Sequence, residues 1–159
     1  MSSTMLCMKS EHIDTAEKRS KYTVTVVGCG RSGLVQACLF ADAGYRVLCT
    51  DLNQTSIAAL QKGRISFAGL AHEAKLKNHL RTRRIGCVND MKSSTSQSDV
   101  TLITCSAEVS PKGKADNSLI ERVCRLVGSG LRHGSLIIVT GISSLGATKE
   151  IVEETLENV

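Results

Sequence analysis

The chain has 159 residues, 42% of them apolar, and a formal net charge of +5 at neutral pH. That length and apolar content suit one domain with one core, and no apolar run approaches the roughly 18 residues of a membrane-spanning helix, so neither a second domain nor a membrane protein is expected. Seven cysteines, an odd number scattered without a C-x-x-C pair, exclude a disulfide framework and a zinc pattern and read as small buried hydrophobes in a reducing cytoplasm.

Met5–Met8 is too short for the apolar core of a secretory signal, and Glu11, Asp14, Glu17, Lys18 and Arg19 follow it. Residues 1–21 therefore read as a mobile lead-in to a domain over residues 22–159. Its first stretch, Tyr22-Thr-Val-Thr-Val-Val, runs into Gly28-Cys-Gly-Arg-Ser-Gly33 and then an amphipathic segment, which predicts a strand, a tight turn and a helix. The three glycines have separate physical tasks. Gly28 permits the turn, Gly30 lets a pyrophosphate approach without meeting a Cβ, and Gly33 allows the helix to pack close to the strand. Cys29, Arg31 and Ser32 complete a turn whose N–H groups, at the positive end of the helix dipole, face the phosphates of a dinucleotide.

Leu34, Val35, Cys38, Leu39 and Ala41 give this first helix its apolar face, and Gly44 stands at its expected stop. A second strand, Arg46–Thr50, ends at Asp51, 18 positions beyond Gly33. A carboxylate there reads the adenosine ribose hydroxyls, or it caps the next helix; residue type alone leaves both open. Asn53 or Thr55 is expected to cap a short helix carrying Ile57 and Leu60, with Gly63 behind it. Residues 64–70 read as a loop and Ala71–Arg81 as a helix. The cluster Lys75, Lys77, Arg81, Arg83 and Arg84 has no interleaved aromatics and no nucleic-acid motif, so it reads as a solvated face, and no nucleic-acid partner is expected.

Ile85–Val88 is expected as a third strand and Val100–Cys105 as a fourth, with the Ser/Thr-rich piece Ser93–Ser98 between them a poor helix by propensity. Ser106–Asp116 reads as a loop at the carboxyl edge of the sheet, where ligands bind in open α/β folds. Ser118 and Glu121 have capping-box spacing ahead of a helix through Val127. Ser135–Thr140 is the fifth strand, apolar in its middle as a strand covered on both faces should be, and Lys149–Glu157 a closing helix. Strands alternating with helices predict a doubly wound parallel α/β sheet in three layers, strand order 3-2-1-4-5, with Ser106, Thr140 and Thr148 as further cofactor contacts along its edge.

The run Val26–Leu34 with Asp51, the helix end Ile57–Gly63, Asn89-Asp90 with Ser98-Asp99-Val100, the loop Gly113–Ser118 and the run Gly146–Val152 fall in the order and spacing of the UDP-glucose/GDP-mannose dehydrogenase family. Residues 22–159 resemble that family's N-terminal, NAD-binding Rossmann domain. The resemblance implies NAD as cofactor and oxidation of a UDP- or GDP-sugar CH–OH group, in two hydride transfers, toward the uronic acids of polysaccharide biosynthesis. It places the family's nucleophilic cysteine, general-base lysine and sugar pocket beyond Val159, so this chain is expected to be incomplete for catalysis alone and to meet its nucleotide sugar through a separate or missing domain, or through a catalytic partner subunit or oligomer.

Three departures weaken the nicotinamide side. Ala107-Glu108 replaces the family's Thr-Pro pair, Gly141-Ile-Ser-Ser144 replaces Ser-Thr-Val-Pro, and Glu-Pro-Gly-Leu survives only as Gly69-Leu70. Within the chain, Cys29 and Cys105 lie near the ligand edge but no histidine pairs readably with either, so both read as core residues, and the catalytic residues stay unknown. Glu108 reads as a solvated loop charge. A non-catalytic NAD-binding module, or another small-substrate dehydrogenase sharing the fold, are the alternatives.

Overall fold

Five consecutive β-branched residues, Thr23–Val27, form β1, and each of them is buried, as the central strand of a sheet covered on both faces requires. The structure, a computed structural model, describes residues 9–64, 73–110, 113, 115–141 and 146–157. Around β1 the chain runs through α1 (Ala16–Arg19), α2 (Arg31–Asp42), β2 (Arg46–Thr50), α3 (Gln54–Gln61), α4 (Glu73–Arg81), β3 (Ile85–Cys87), α5 (Met91–Ser96) and β4 (Val100–Ile103). It continues through β5 (Glu108–Val109), β6 (Ala115–Asp116), α6 (Ser118–Gly128), β7 (Leu136–Val139), a π-helical stretch over Thr148–Glu153 and α7 (Glu154–Glu157).

The main sheet has the order β3-β2-β1-β4-β7 with every pairing parallel, which is the expected 3-2-1-4-5 arrangement. Successive strand side chains point to opposite faces, and the two cores follow that alternation. Val26 and Leu102 join α2, α3 and α4 on one face, while Val27 and Ile103 join α5, α6 and the π-helical stretch on the other. The result is three layers. The edge strand β7 departs from the expected full cover: Leu136 is exposed, and Ile137, Ile138 and Val139 are half-buried. The expected loop after β4 contains an antiparallel ribbon of β5 and β6, Glu108 facing Asp116.

α5 is a helix where propensity disfavours one. Asp90 caps it by accepting from Ser93 N–H at 3.0 Å, and the hydroxyls of Ser94 and Thr95 both turn back onto the Met91 carbonyl at 2.8 Å. Ser94, Thr95 and Ser98 are fully buried, with Ser98 bonded to the Ser94 carbonyl and to Thr25 of β1. Tertiary burial with every hydroxyl satisfied outweighs a propensity deficit of a few tenths of a kcal/mol per residue. At α6 the expected capping box is replaced: the helix begins at Ser118 itself, whose N–H donates to Asp116 at 2.9 Å, and Glu121 pairs with Arg125 one turn on.

Residues 9–21 are not featureless. A 3-10 turn at Ser10–His12 precedes α1, and Arg19 donates to the carbonyls of Ala43 and Ile13. Gly44, at φ +102°, ends α2 as expected and also admits α1, because a Cβ there would lie 2.8 Å from the Ala16 Cβ. Further round the same helix, Asp42 accepts from Lys75 at 2.9 Å and bonds the buried His79 at 2.8 Å, fastening α4 to α2. Lys75 and then His79 hold the Asp42 carboxyl below the usual carboxylate range. A depressed folded-state value gives stability that is complete above the unfolded value of about 4 and is lost as pH falls through the folded one. The expected result is an acid limb below about pH 4 in the unfolding free energy that flattens in Asp42→Asn, read by denaturant titration across pH; an unaltered acid limb would rule the clasp out as a contributor.

Candidate dinucleotide site

At the carboxyl ends of β1, β2 and β4 a cleft of about 290 Å³ is lined by Gly28, Gly30, Arg31, Ser32, Gly33, Asp51 and Leu52, together with Thr104, Cys105, Leu119 and Val123. The glycines divide their work as the motif predicts. Gly28 adopts φ +101°, a conformation costly for any residue with a Cβ. Gly33 packs so close that a Cβ would sit 1.9 Å from the Gly28 carbonyl oxygen, whereas nothing among the described residues lies within 4 Å of a Cβ at Gly30. Gly30 therefore opens the turn outward and Gly33 closes it inward. α2 starts at Arg31 with no side-chain cap and no acidic residue in its first turn, so its first N–H groups and a guanidinium-bearing residue stand at the cleft.

The cap reading of Asp51 falls away in the structure. Asn53 is the cap of α3, accepting from Thr55 N–H at 3.0 Å, while Asp51 spans the turn and the strand end. Its Oδ2 accepts from Cys29 N–H at 2.6 Å and its Oδ1 from Asn53 N–H at 2.8 Å. A carboxylate offers about four acceptor sites, so one on each oxygen is left for a pair of vicinal hydroxyls. Thr104, just past β4, reaches the same turn from the other side, its hydroxyl 3.0 Å from the carbonyl oxygens of both Val27 and Gly28.

Residues 22–159 match the model of the UDP-glucose/GDP-mannose dehydrogenase family, NAD binding domain. The chain belongs to this family. It is 26% identical over 129 residues to a UDP-glucose 6-dehydrogenase of Rhizobium meliloti, covering 80% of this chain and 30% of that protein, and 26% identical over 138 residues to a GDP-mannose 6-dehydrogenase of Pseudomonas aeruginosa, covering 85% and 32%. Among solved structures, a UDP-glucose dehydrogenase from Pyrobaculum islandicum superposes with a TM-score of 0.79 at 27% identity, covering 86% of this chain and 32% of that one. A ternary complex of GDP-mannose dehydrogenase from Pseudomonas aeruginosa gives 0.78 at 26% identity, covering 85% and 32%. The chain thus spans about 30% of the length of the curated relatives it matches. It is the NAD-binding domain of the family, and the residues present fit NAD: an open glycine, a helix start without a side-chain cap, and a carboxylate with acceptor sites to spare.

Not every expected contact of this NAD-binding domain gathers at the cleft. Gly28, Gly30, Arg31, Ser32, Gly33 and Asp51 do; Cys29 does not line it, its N–H being given to Asp51 at 2.6 Å and its thiol turned inward to the Thr50 carbonyl at 3.5 Å. Ser106 and Thr140 are exposed at the same sheet edge but do not line the cleft. Thr140 instead accepts from Gln36 of α2 at 3.3 Å, and Gln36 also donates to Ser32 at 3.1 Å, a link between the glycine turn and the end of β7 that no sequence signal marks. The side chain of Thr148, the segment 142–145 and Gly69-Leu70 lie outside the described residues. Burial, with the nearby Asp51 carboxylate, pushes the Cys105 thiol up to about 11, so it stays protonated at neutral pH and is no ready nucleophile. Glu108 is exposed on the ribbon and away from the cleft. Thr104, Leu119 and Val123 were not expected here: they belong to elements 70 or more residues downstream, and only the folded sheet brings them in.

Proposed function

We propose that this chain is the cofactor half of a nucleotide-sugar dehydrogenase, holding NAD while a CH–OH group of a UDP- or GDP-sugar, carried by a further domain or a partner subunit, is oxidised. The observation that carries this reading is Asp51, fixed by two backbone N–H groups with one acceptor site free on each oxygen. It would take the adenosine ribose diol, steadied by the Cys29 N–H, with Gly28, Gly30, Arg31, Ser32 and Gly33 around the pyrophosphate and Ser106, Thr140 and Thr148 toward the nicotinamide end. When bound, NAD supplies the hydride acceptor. The chain's own contribution is to bind and orient it. We place the domain at residues 22–159 and the protein in the cytoplasm; no helix among the described residues is long and apolar enough to cross a membrane.

A non-catalytic NAD-binding module is the second reading, favoured by Glu108 and Thr140 standing clear of the cleft. The test is calorimetry and turnover on one preparation. The Asp51 carboxylate faces no compensating cation from Leu52 or Asn53, and like charges set together cost several kcal/mol. NAD should therefore bind about a hundredfold more tightly than NADP, Asp51→Ala should narrow the gap, and UDP-glucose should go unoxidised by the chain alone. Equal affinities would remove Asp51 from the ribose. NADH formation that survives removal of trace contaminants would place a complete active site within these residues.

A further inference from the structure

The backbone N–H of Thr104 donates to Val27 O at 3.0 Å, continuing the β1–β4 pairing one residue past the strands. That carbonyl therefore already has a donor. The Thr104 hydroxyl lies 3.0 Å from Val27 O and 3.0 Å from Gly28 O, and a hydroxyl carries one proton, which the Gly28 carbonyl is placed to take. The peptide unit joining Gly28 to Cys29 is thus held at both ends, its C=O from the β4 side by Thr104 and its N–H from the β2 side by Asp51 at 2.6 Å. The glycines leave room for this hydroxyl: a Cβ would come within 2.7 Å of Thr104 Oγ1 at Gly28 and within 2.9 Å at Gly33.

We infer that Thr104 is a positioning residue for the cofactor's phosphates: by fixing the plane of the Gly28–Cys29 peptide it aims the N–H groups of the turn at the pyrophosphate. The binding half of this inference rests on the NAD reading above; the clamp itself stands on geometry alone. A dinucleotide meets both ends of the clamp, its ribose diol on Asp51 and its phosphates on the turn, whereas adenosine has no phosphate to place. Loss of the Thr104 proton should then be felt by phosphate-bearing ligands and not by the nucleoside.

Two variants and two measurements test it. Thr104→Val keeps the shape and removes the proton; Thr104→Ser keeps the proton. In the ligand-free chain, amide hydrogen exchange at Cys29 should accelerate in Thr104→Val and return toward wild type in Thr104→Ser. By calorimetry, NAD and ADP-ribose should each weaken about tenfold in Thr104→Val, the worth of one ordinary hydrogen bond, and recover in Thr104→Ser. Adenosine, followed by NMR titration, should bind all three chains alike. Unchanged Cys29 exchange in Thr104→Val would overturn the clamp, and an equal loss for adenosine would show a general distortion in its place. A wild-type chain that left NAD unbound would overturn the cofactor reading and with it the binding half, while the exchange measurement still decides the clamp.

Discussion

Replacing Gly33 by alanine should destabilise the chain by about 3 kcal/mol or more and remove NAD binding with it. Inside an exposed helix the same change is ordinarily favourable by about 1 kcal/mol, because alanine has the better helix propensity. Here the added Cβ would lie 1.9 Å from the Gly28 carbonyl oxygen, 3.1 Å from its carbon and 2.9 Å from Thr104 Oγ1. Two of those three atoms are backbone, which no rotamer change can move aside. α2 must lift from β1, and an overpacked site of this kind costs about 1–3 kcal/mol even where side chains can yield. For a chain of this size each kcal/mol lowers the melting temperature by roughly 2–4 °C, so a fall of roughly 6–12 °C is expected in a thermal melt. A melt within about 1 °C of wild type would mean that the turn relaxes freely and that the close packing of α2 on β1 is not what Gly33 is for.

Replacing Gly30 by valine should do the reverse, sparing the fold and abolishing the ligand. Gly30 has φ −70°, which any L-residue adopts, and open space among the described residues where a side chain would go. It occupies the N-cap of α2, a position where glycine exceeds valine, so a loss of up to about 1 kcal/mol is expected in the ligand-free melt. NAD at a hundredfold excess over its dissociation constant should stabilise the wild type by about 2.7 kcal/mol. In Gly30→Val that shift should vanish, since the side chain fills the approach a pyrophosphate needs. A retained shift would move the phosphates away from this turn. Set against Gly33→Ala, the pair separates a glycine that makes room inside the protein from one that makes room outside it.

The glycine turn was legible because its physics is local: three residues within six positions impose the turn, the opening and the close approach. Strand order was legible too, from apolar runs and the handedness of crossovers. Asp51 was half legible, since its position beyond β2 suits a ribose acceptor and a helix cap equally, and only the fold, in which Asn53 takes the cap, removes the second. What could not be read lies in contacts across the chain. α5 exists because its hydroxyls are buried and satisfied by partners as distant as Thr25. α4 ends without a glycine because Arg83 itself takes φ 57°. Thr104 and Gln36 sit in no motif; their meaning comes from Gly28 and Thr140, 76 and 104 residues away. Ser106 and Thr140 were placed by the general rule for sheet edges, and that rule is too coarse to say which edge residues turn toward the cleft.

The clamp on the Gly28–Cys29 peptide also bears on how the chain comes into being. Its N–H partner lies 22 residues on and its C=O partner 76 residues on. A nascent chain that has emerged as far as α2 already carries the whole glycine motif, yet neither group that sets the plane of the turn has docked beside it. Asp51 arrives with β2 and Thr104 only with β4, on opposite sides of β1. The order of synthesis therefore separates possession of the motif from possession of the site, and the cofactor can reward only a chain whose middle three strands have come together.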